Sequence, residues 1–528
     1  MNEPITHFTI VGGGSAGWLT ASLLVASLNR RNDGPDTAIT LIESPRVPIV
    51  GVGEATTTSS YFTFGQLRLD ELDMLKFCDA SFKGAVRFRG WDVRPDGSVS
   101  DYYHPFDAPE PIFGILPAYH YHRRVAAGAK LPPFAHCMSL LPALMDQARA
   151  PRVLEDGPYE GLSNYSYHLD AARLGAYLEE YCTSLGVEHI RDDVTQVRRD
   201  ERGFVTELEL ERGGVHKVQF IIDCSGFRGL ILRQAMGETF IPYGDHLLCD
   251  RALAVQLPHR AGAPLDSYTT STALGAGWAW NVPLHSRRGT GYVFSSAFRD
   301  DDEAIAEFKQ YLGPDGRDAE PRVIPMQIGR LKRGWVKNCL AVGLSAGFVE
   351  PLESTSIHLI QVAIRRFLEH LPDQGCAPAL IDRYNALTTQ MYEDIRDFIA
   401  MHYAVSNRPG AFWETARSEA VVPDRVRERL ALWRHKLPGP LDIDVLNPLF
   451  TEWSYLYVLF GKGFFDGASL ALEAGISDQD FDRFLAEMSA QQNAALARAP
   501  DHRALMDRIH STETAAWYRP EAEALPVS

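Results

Sequence analysis

The sequence predicts an α/β fold in which a parallel sheet, opened by a βαβ unit, is followed by a mostly helical C-terminal part. Three observations predict it. Residues 5–11 read as a strand, 12–14 as a glycine turn, 15–30 as a helix, 32–36 as a polar loop and 38–43 as a second strand. Short apolar runs at 218–224 and 339–344 each end in a Ser/Gly-containing turn, which delivers two loops to one sheet edge. From about residue 357 glycine thins out and apolar residues recur at helical spacing, as at Ile357, Ile360, Val362, Ala363 and Phe367, and again over 380–398.

The elements follow in order. His7-Phe8-Thr9-Ile10-Val11 runs directly into Gly12-Gly13-Gly14, so the first strand ends where side chains would obstruct a tight turn. A helix-like segment at 168–185 leads to two alternating segments, 194–199 and 205–211, after which Arg212-Gly213-Gly214 turns the chain. There is no internal repeat, no low-complexity segment and no flexible linker, and residues 519–528 read as a frayed tail. The expected division is 1–356 as a core with two inserted segments, about 61–165 and 245–330, and 357–528 as a helical subdomain packed on it.

Composition narrows the classes. With 528 residues, 45% hydrophobic, 23% charged, 42 Gly and 32 Pro, the chain has the profile of a large globular protein. A formal charge of −16 opposes nucleic acid and anionic membrane surfaces, which repel a polyanion. The seven cysteines are scattered and form no CxxC pair, so neither a disulfide framework nor a metal site is expected. No basic n-region precedes the first strand, and the longest apolar stretch, 19–28, is shorter than the roughly 20 residues of a membrane span. The expected location is cytoplasmic, and the expected assembly a monomer or homodimer.

Gly12, Gly14 and Gly17 form GxGxxG between a strand and a helix that opens with Ser15 and Ala16. The first glycine permits the tight turn, the second the approach of a phosphate, and the third close helix–strand contact, while the helix N-terminus attracts a pyrophosphate. Glu43 ends the second strand, where a carboxylate accepts from an adenosine ribose hydroxyl. Asp223-Cys224-Ser225-Gly226-Phe227-Arg228, after an apolar strand, resembles the late FAD motif of glutathione-reductase-type flavoproteins, so the expected dinucleotide is FAD.

Four further segments are more specific. Gly51-Val52-Gly53-Glu54-Ala55-Thr56, Phe82-Lys83, Gly277-Trp278-Ala279-Trp280-Asn281-Val282-Pro283, and the stretch from Gly343 through Glu350-Pro351-Leu352-Glu353-Ser354-Thr355 together resemble the flavin-dependent tryptophan and indole halogenases, in the same order. The likeness runs to about residue 460. It implies an FAD-binding glutathione-reductase-type (Rossmann-like) domain, with Gly12, Gly14, Ser15, Ala16, Gly17, Glu43, Glu54, Ala55, Val194, Leu344 and Ile357 at the cofactor. It further implies Lys83 and Glu353 as catalytic residues, Thr355 and Ser356 at a halide ion, and Trp278, Trp280 and Pro283 shielding the flavin. His104, Pro105 and Phe106 fall where the family holds its aromatic substrate, Phe450 stands in place of the family tryptophan, and Trp453 or Tyr455 is a candidate alternative wall.

The residue types suit that chemistry. Reduced FAD and O2 oxidise chloride or bromide to hypohalous acid, and a lysine in a dry passage can carry the halogen as a haloamine or orient the acid as an ammonium. A carboxylate beside the arene stabilises the cationic intermediate and takes its proton. The sequence departs from the family at Val282, where Ile is usual, and at Ser356, where Gly is usual, which narrows the expected halide site. The tyrosine pair with which free-tryptophan halogenases grip the amino acid is missing; Ala431-Leu432-Trp433-Arg434 and Leu449-Phe450-Thr451-Glu452-Trp453 stand there instead. Indole or another electron-rich arene is therefore expected over free tryptophan. A second GxGxxG is absent, so a separate flavin reductase is the expected source of FADH2. A flavin hydroxylase and a non-catalytic flavin-fold carrier are the alternatives.

Overall fold

The structure, a computed structural model, describes residues 3–29, 37–47, 53–94 and 96–511. The expected loop at 32–36, Gly51-Val52 and the tail at 519–528 lie outside these residues.

The parallel sheet is present with six strands in the order Trp335–Val336, Cys339–Ala341, Phe220–Asp223, His7–Val11, Ala38–Glu43 and Glu188–Arg191. All neighbours run parallel except the edge strand Trp335–Val336. The helix Ser15–Leu28 carries apolar or small residues on every side, and its stretch from Gly17 to Ala26 is buried. Such a helix needs cover on more than one face. Helices Ala171–Ser184 and Thr355–Glu369 provide it, so the C-terminal part packs directly on the opening βαβ unit.

The two inserted segments jointly build a second sheet that periodicity did not reveal. Its seven strands run in the order Arg322–Pro325, Arg251–Pro258, Arg287–Phe294, Gly277–Pro283, Tyr268–Leu274, Ala85–Val93 and Val99–Pro105. Only Tyr268–Leu274 and Ala85–Val93 pair in parallel, and that pair joins the two insertions. One face of this sheet, with Phe88, Trp91 and Trp278, shares a core with the long helix Pro378–Ala404 and the helix Glu452–Gly461. A separate core lies around the parallel sheet and its helices, with Trp18, Leu41, Phe220 and Trp335 at 1% exposure or less.

A third, small sheet ties the halves together. Ser166–Leu169 pairs with Glu54–Ala55 on one side and Ser81–Lys83 on the other, with Lys83 opposite Ser166. The seven cysteines are buried and free, and no helix among the described residues is long and apolar enough to cross a membrane.

Candidate functional site

At the C-terminal edge of the parallel sheet a cavity of about 640 Å³ lies between that sheet, the seven-stranded sheet and the start of the helix Thr355–Glu369. Ten of the sequence-predicted cofactor positions line it: Gly12, Gly14, Ser15, Ala16, Glu43, Glu54, Ala55, Val194, Leu344 and Ile357. Gly17 lies behind the wall. A Cβ there would come within 1.8 Å of the Gly12 carbonyl, so the residue sets how closely helix and strand approach. Gly12 has φ +117° and no room toward Cys224, whereas a Cβ on Gly14 would meet no protein atom within 4 Å. The turn therefore leaves open space above Gly14, beside the helix N-terminus, which is the shape a pyrophosphate requires.

The residues of the late motif also reach this cavity, because Asp223 organises the turn that carries them. Its carboxylate accepts from the Ser225 amide and hydroxyl and from the amides of Ile231 and Leu232, which presents Ser225, Gly226, Phe227 and Arg228 to the wall. Glu43 Oε2 takes a hydrogen bond from His189 Nε2 at 3.0 Å at the rim. Glu54 borders the same space, and burial lifts its carboxyl to about 7. Asp192 and Asp193, which sequence reasoning passed over, extend the acidic corner beside Glu43.

Trp278 and Trp280 sit two residues apart on one strand and both face the cavity, as the alternation of a strand requires. The Trp278 indole N–H donates to Glu350 Oε2 at 3.2 Å, and the Tyr403 hydroxyl donates to the same oxygen at 2.6 Å. Burial raises Glu350 to about 7 against these two hydrogen bonds. Pro283 does not line the cavity; its carbonyl accepts from Ser81 Oγ, tying the strand end to the small sheet.

Beyond this wall lies Lys83, fully buried. Its Nζ donates to the Thr56 carbonyl at 2.9 Å and to Ser354 Oγ at 2.7 Å, and stands 5.0 Å from the centre of the Phe106 ring. Ser354 itself lines the cavity, so a single side chain links the cavity wall to the lysine. Burial lowers the Lys83 ammonium to about 7, against the attraction of Glu353.

Glu353 is also buried, at the end of the short turn Pro351–Glu353. Burial alone would raise its carboxyl, but the charge and hydrogen bond of His104, joined by His402, outweigh burial and hold it at about 2. His104 Nδ1 lies 2.9 Å from Glu353 Oε1, which makes that nitrogen the donor to the carboxylate, and His402 Nε2 lies 3.2 Å from the same oxygen. The site thus pairs an amine near its midpoint of protonation at neutral pH with a carboxylate that stays ionised.

Ser354 adopts the left-handed conformation, φ 62°, and the helix Thr355–Glu369 starts after it. Thr355 is buried with Oγ1 unpartnered, and Ser356 faces the cavity. Ser356 stands inside the helix without positive φ, so serine in place of the family's usual glycine costs no backbone strain there. What the substitution adds is a side chain on the cavity wall.

His104, Pro105 and Phe106 continue the edge strand Val99–Pro105 toward Lys83. The His104 ring faces Phe398 at 6.0 Å, Tyr457 at 6.2 Å and Phe450 at 6.4 Å, and Phe450 stacks on Phe398 at 3.8 Å. Of the proposed walls, Phe450 meets His104 directly. Trp453 lies one helical turn from Tyr457, its ring 6.0 Å away, and Tyr455 meets the Phe398 ring at 4.9 Å, packs on Trp433 and accepts from Arg429. Phe398, His402, Tyr457 and Ser354 were missed from sequence. The i, i+4 spacing of Phe398 and His402 on a long helix was the available signal, but it equally fits ordinary core packing.

Comparison with known proteins agrees in length and in shape. The profile of the tryptophan halogenase family matches residues 7–475. The tryptophan 6-halogenase ThaL of Streptomyces albogriseolus is 36% identical over 459 residues, 84% of each chain. A tryptophan halogenase from Shewanella frigidimarina superposes with a TM-score of 0.90 at 34% identity, covering 96% of this chain and 98% of that one. BrvH, a flavin-dependent halogenase from Brevundimonas sp. BAL3, superposes with a TM-score of 0.85 at 34% identity, covering 96% and 99%.

Proposed function

The chain belongs to the tryptophan halogenase family, and from that premise we propose that this flavin-dependent enzyme halogenates indole or a similar electron-rich arene, with chloride or bromide as halogen source. The cavity at Gly12–Gly17, with open space above Gly14 and Glu43 at its rim, fits FAD: Ser15 and Ala16 would hold the pyrophosphate, Glu43 the ribose, and Ala55, Val194, Leu344 and Ile357 the remaining contacts. Reduced FAD with oxygen supplies the two-electron oxidation of halide to hypohalous acid. The free amides at the start of the helix Thr355–Glu369 suit a halide ion, which the helix dipole favours.

One observation carries the reading: Lys83 is bonded to Ser354, a residue of the cavity wall, while lying within 5.0 Å of the Phe106 ring on the arene side. Lys83 receives the electrophilic halogen and presents it to an arene held between His104, Phe106 and Phe450. Glu353 stabilises the cationic ring and removes the proton from the substituted carbon. Trp278 and Trp280 keep the arene from the flavin, so oxygen is not transferred to the ring. Reduced FAD comes from a separate flavin reductase.

The test combines the protein with FAD, a flavin reductase, NADH, indole, and chloride or bromide, with products read by mass spectrometry. The expected product carries the halogen isotope pattern, and Lys83→Ala abolishes it while oxidation of FADH2 continues. Hydroxylated indole without halogen, or haloindole from Lys83→Ala, overturns the reading.

A further inference from the structure

We propose that His402 is a second positioning residue for Glu353, its Nε2–H aiming the carboxylate at the ring carbon that loses a proton. The inference rests on the role given to Glu353 above. It starts from an imbalance in hydrogen bonding. His402 is 0% exposed, yet neither ring nitrogen has an aligned hydrogen-bond partner among the described residues. A buried imidazole in that state costs free energy, and such groups gather where a site demands them. The nearest acceptor is Glu353 Oε1 at 3.2 Å, out of line for a hydrogen bond but on the same oxygen that takes His104 Nδ1. Catalytic hydrogen bonds reach their full alignment in the complex with substrate.

The ring is held against drifting away. Phe88 lies 4.9 Å from it, the Phe398 edge 5.1 Å and Trp91 5.8 Å, so its plane is fixed by aromatic neighbours. Its backbone carbonyl accepts from the buried Lys462 ammonium, whose Nζ stands 5.2 Å over Trp91. The next residue, Tyr403, donates to Glu350. The end of the helix Pro378–Ala404 therefore meets both carboxylates of the Glu350–Glu353 segment, one through each of two adjacent residues.

The charged and titratable groups facing this pair are few. Glu353 is faced by His104 and Tyr102 from the edge strand, Lys83 from the small sheet and His402 from the long helix. His402 is faced by Glu353, His104 and Lys462, and Lys462 in turn by Asp92. Burial holds His402 at about 4 against the attraction of Glu353, so near neutrality it is a neutral donor beside an ionised acceptor. Removing it withdraws one of the influences that keep Glu353 ionised. The carboxyl then protonates at higher pH, and the loss of activity on the acid side, begun by protonation of Lys83, becomes steeper.

The experiment compares wild type with His402→Phe, which keeps an aromatic ring between Phe88 and Phe398, and with His402→Gln, whose amide N–H reaches where Nε2 lies. The readouts are kcat, KM for indole and the pH profile of halogenation. His402→Phe is expected to lower kcat about tenfold with KM within twofold, and to make the acidic limb steeper than in wild type below the rise at about pH 7 that Lys83 sets. His402→Gln is expected to recover most of kcat. Should His402→Phe not fold, His402→Asn, whose shorter amide falls short of Glu353, takes its place. Glu353→Gln is run beside them. Loss of activity in Glu353→Gln with wild-type kcat and acidic limb in His402→Phe overturns the positioning role alone, as does a His402→Gln variant no better than His402→Phe. Full activity in Glu353→Gln overturns the reading of Glu353 and this inference with it.

Discussion

At the residue scale, burial acts in opposite directions on the two side chains assigned to the reaction, and only at Glu353 does a second influence reverse it. Burial strips water from both. For Lys83 this lowers the ammonium to about 7, with Glu353 pulling the other way; for Glu353 the histidines overcome burial and hold it at about 2. Because Lys83 sheds its proton as pH rises through about 7, we expect halogenation kcat to climb across that range and level off above it, as a nucleophilic amine requires. A flat or falling profile would refute that form of the lysine. The linkage to stability has a definite sign. The folded pKa lies below the ordinary lysine value of 10.5, so the folded state binds fewer protons than the unfolded chain, and the lysine costs stability that grows as pH falls from 10.5 toward 7. Lys83→Met should therefore be inactive yet more stable by roughly 1–3 kcal/mol at pH 6, with a smaller gain at pH 10, read by thermal unfolding. Lys83 and Glu353 were legible because each sits in a distinctive local motif. His402 was not, since its meeting with Glu353 depends on how the long helix Pro378–Ala404 folds back.

At the element scale, local geometry could be read wherever a single segment carries its own explanation. The opening strand, turn and helix were placed within two residues, and the expected 339–344 strand ends at Ala341 because Gly343, at φ +71°, turns the chain away. The seven-stranded sheet was not readable in the same way. Its parallel pair joins Tyr268–Leu274 to Ala85–Val93 across two strands of the parallel sheet, Glu188–Arg191 and Phe220–Asp223, and no local period encodes that partner. The glycine turn allows a sharp test of the flavin assignment. Gly17→Ala forces a methyl against the Gly12 carbonyl, so helix and strand must separate, and both thermal stability and FAD affinity should fall. Gly14→Ala meets no protein atom within 4 Å and has φ −77°, so the apo protein should melt unchanged. The added methyl nevertheless occupies the space assigned to the pyrophosphate, and FAD binding by fluorescence titration should weaken at least tenfold, or about 1.4 kcal/mol. Unaltered affinity in Gly14→Ala would remove the phosphate from that turn.

At the scale of the whole molecule, the proposed function needs Lys83 held between the cavity assigned to the cofactor and the aromatic side chains assigned to the arene, and that placement depends on contacts distant in sequence. The Lys83 strand is three residues long, too short to be stable alone. Ser166–Leu169 supports one edge, and the amide of Phe82 donates to His502 Nε2, 420 residues away, at 3.2 Å. His502 is fully buried and its Nδ1 lies 2.9 Å from the Leu265 carbonyl, so it ties the last described helix, His502–Ser511, to both insertions at once. Burial keeps it neutral by lowering it to about 4, which is the state that leaves Nε2 free to accept. The helix His502–Ser511 thus supports the strand of Lys83 although it contributes no residue to the cavity assigned to FAD. His502→Leu leaves the Phe82 amide buried without an acceptor, at a cost of about 1–3 kcal/mol concentrated on the lysine strand. Halogenation should fall severalfold while FAD affinity stays at the wild-type value, and His502→Gln, which restores an acceptor, should recover part of the loss. A parallel drop in FAD affinity would mean that the helix supports the whole fold rather than the strand that carries Lys83.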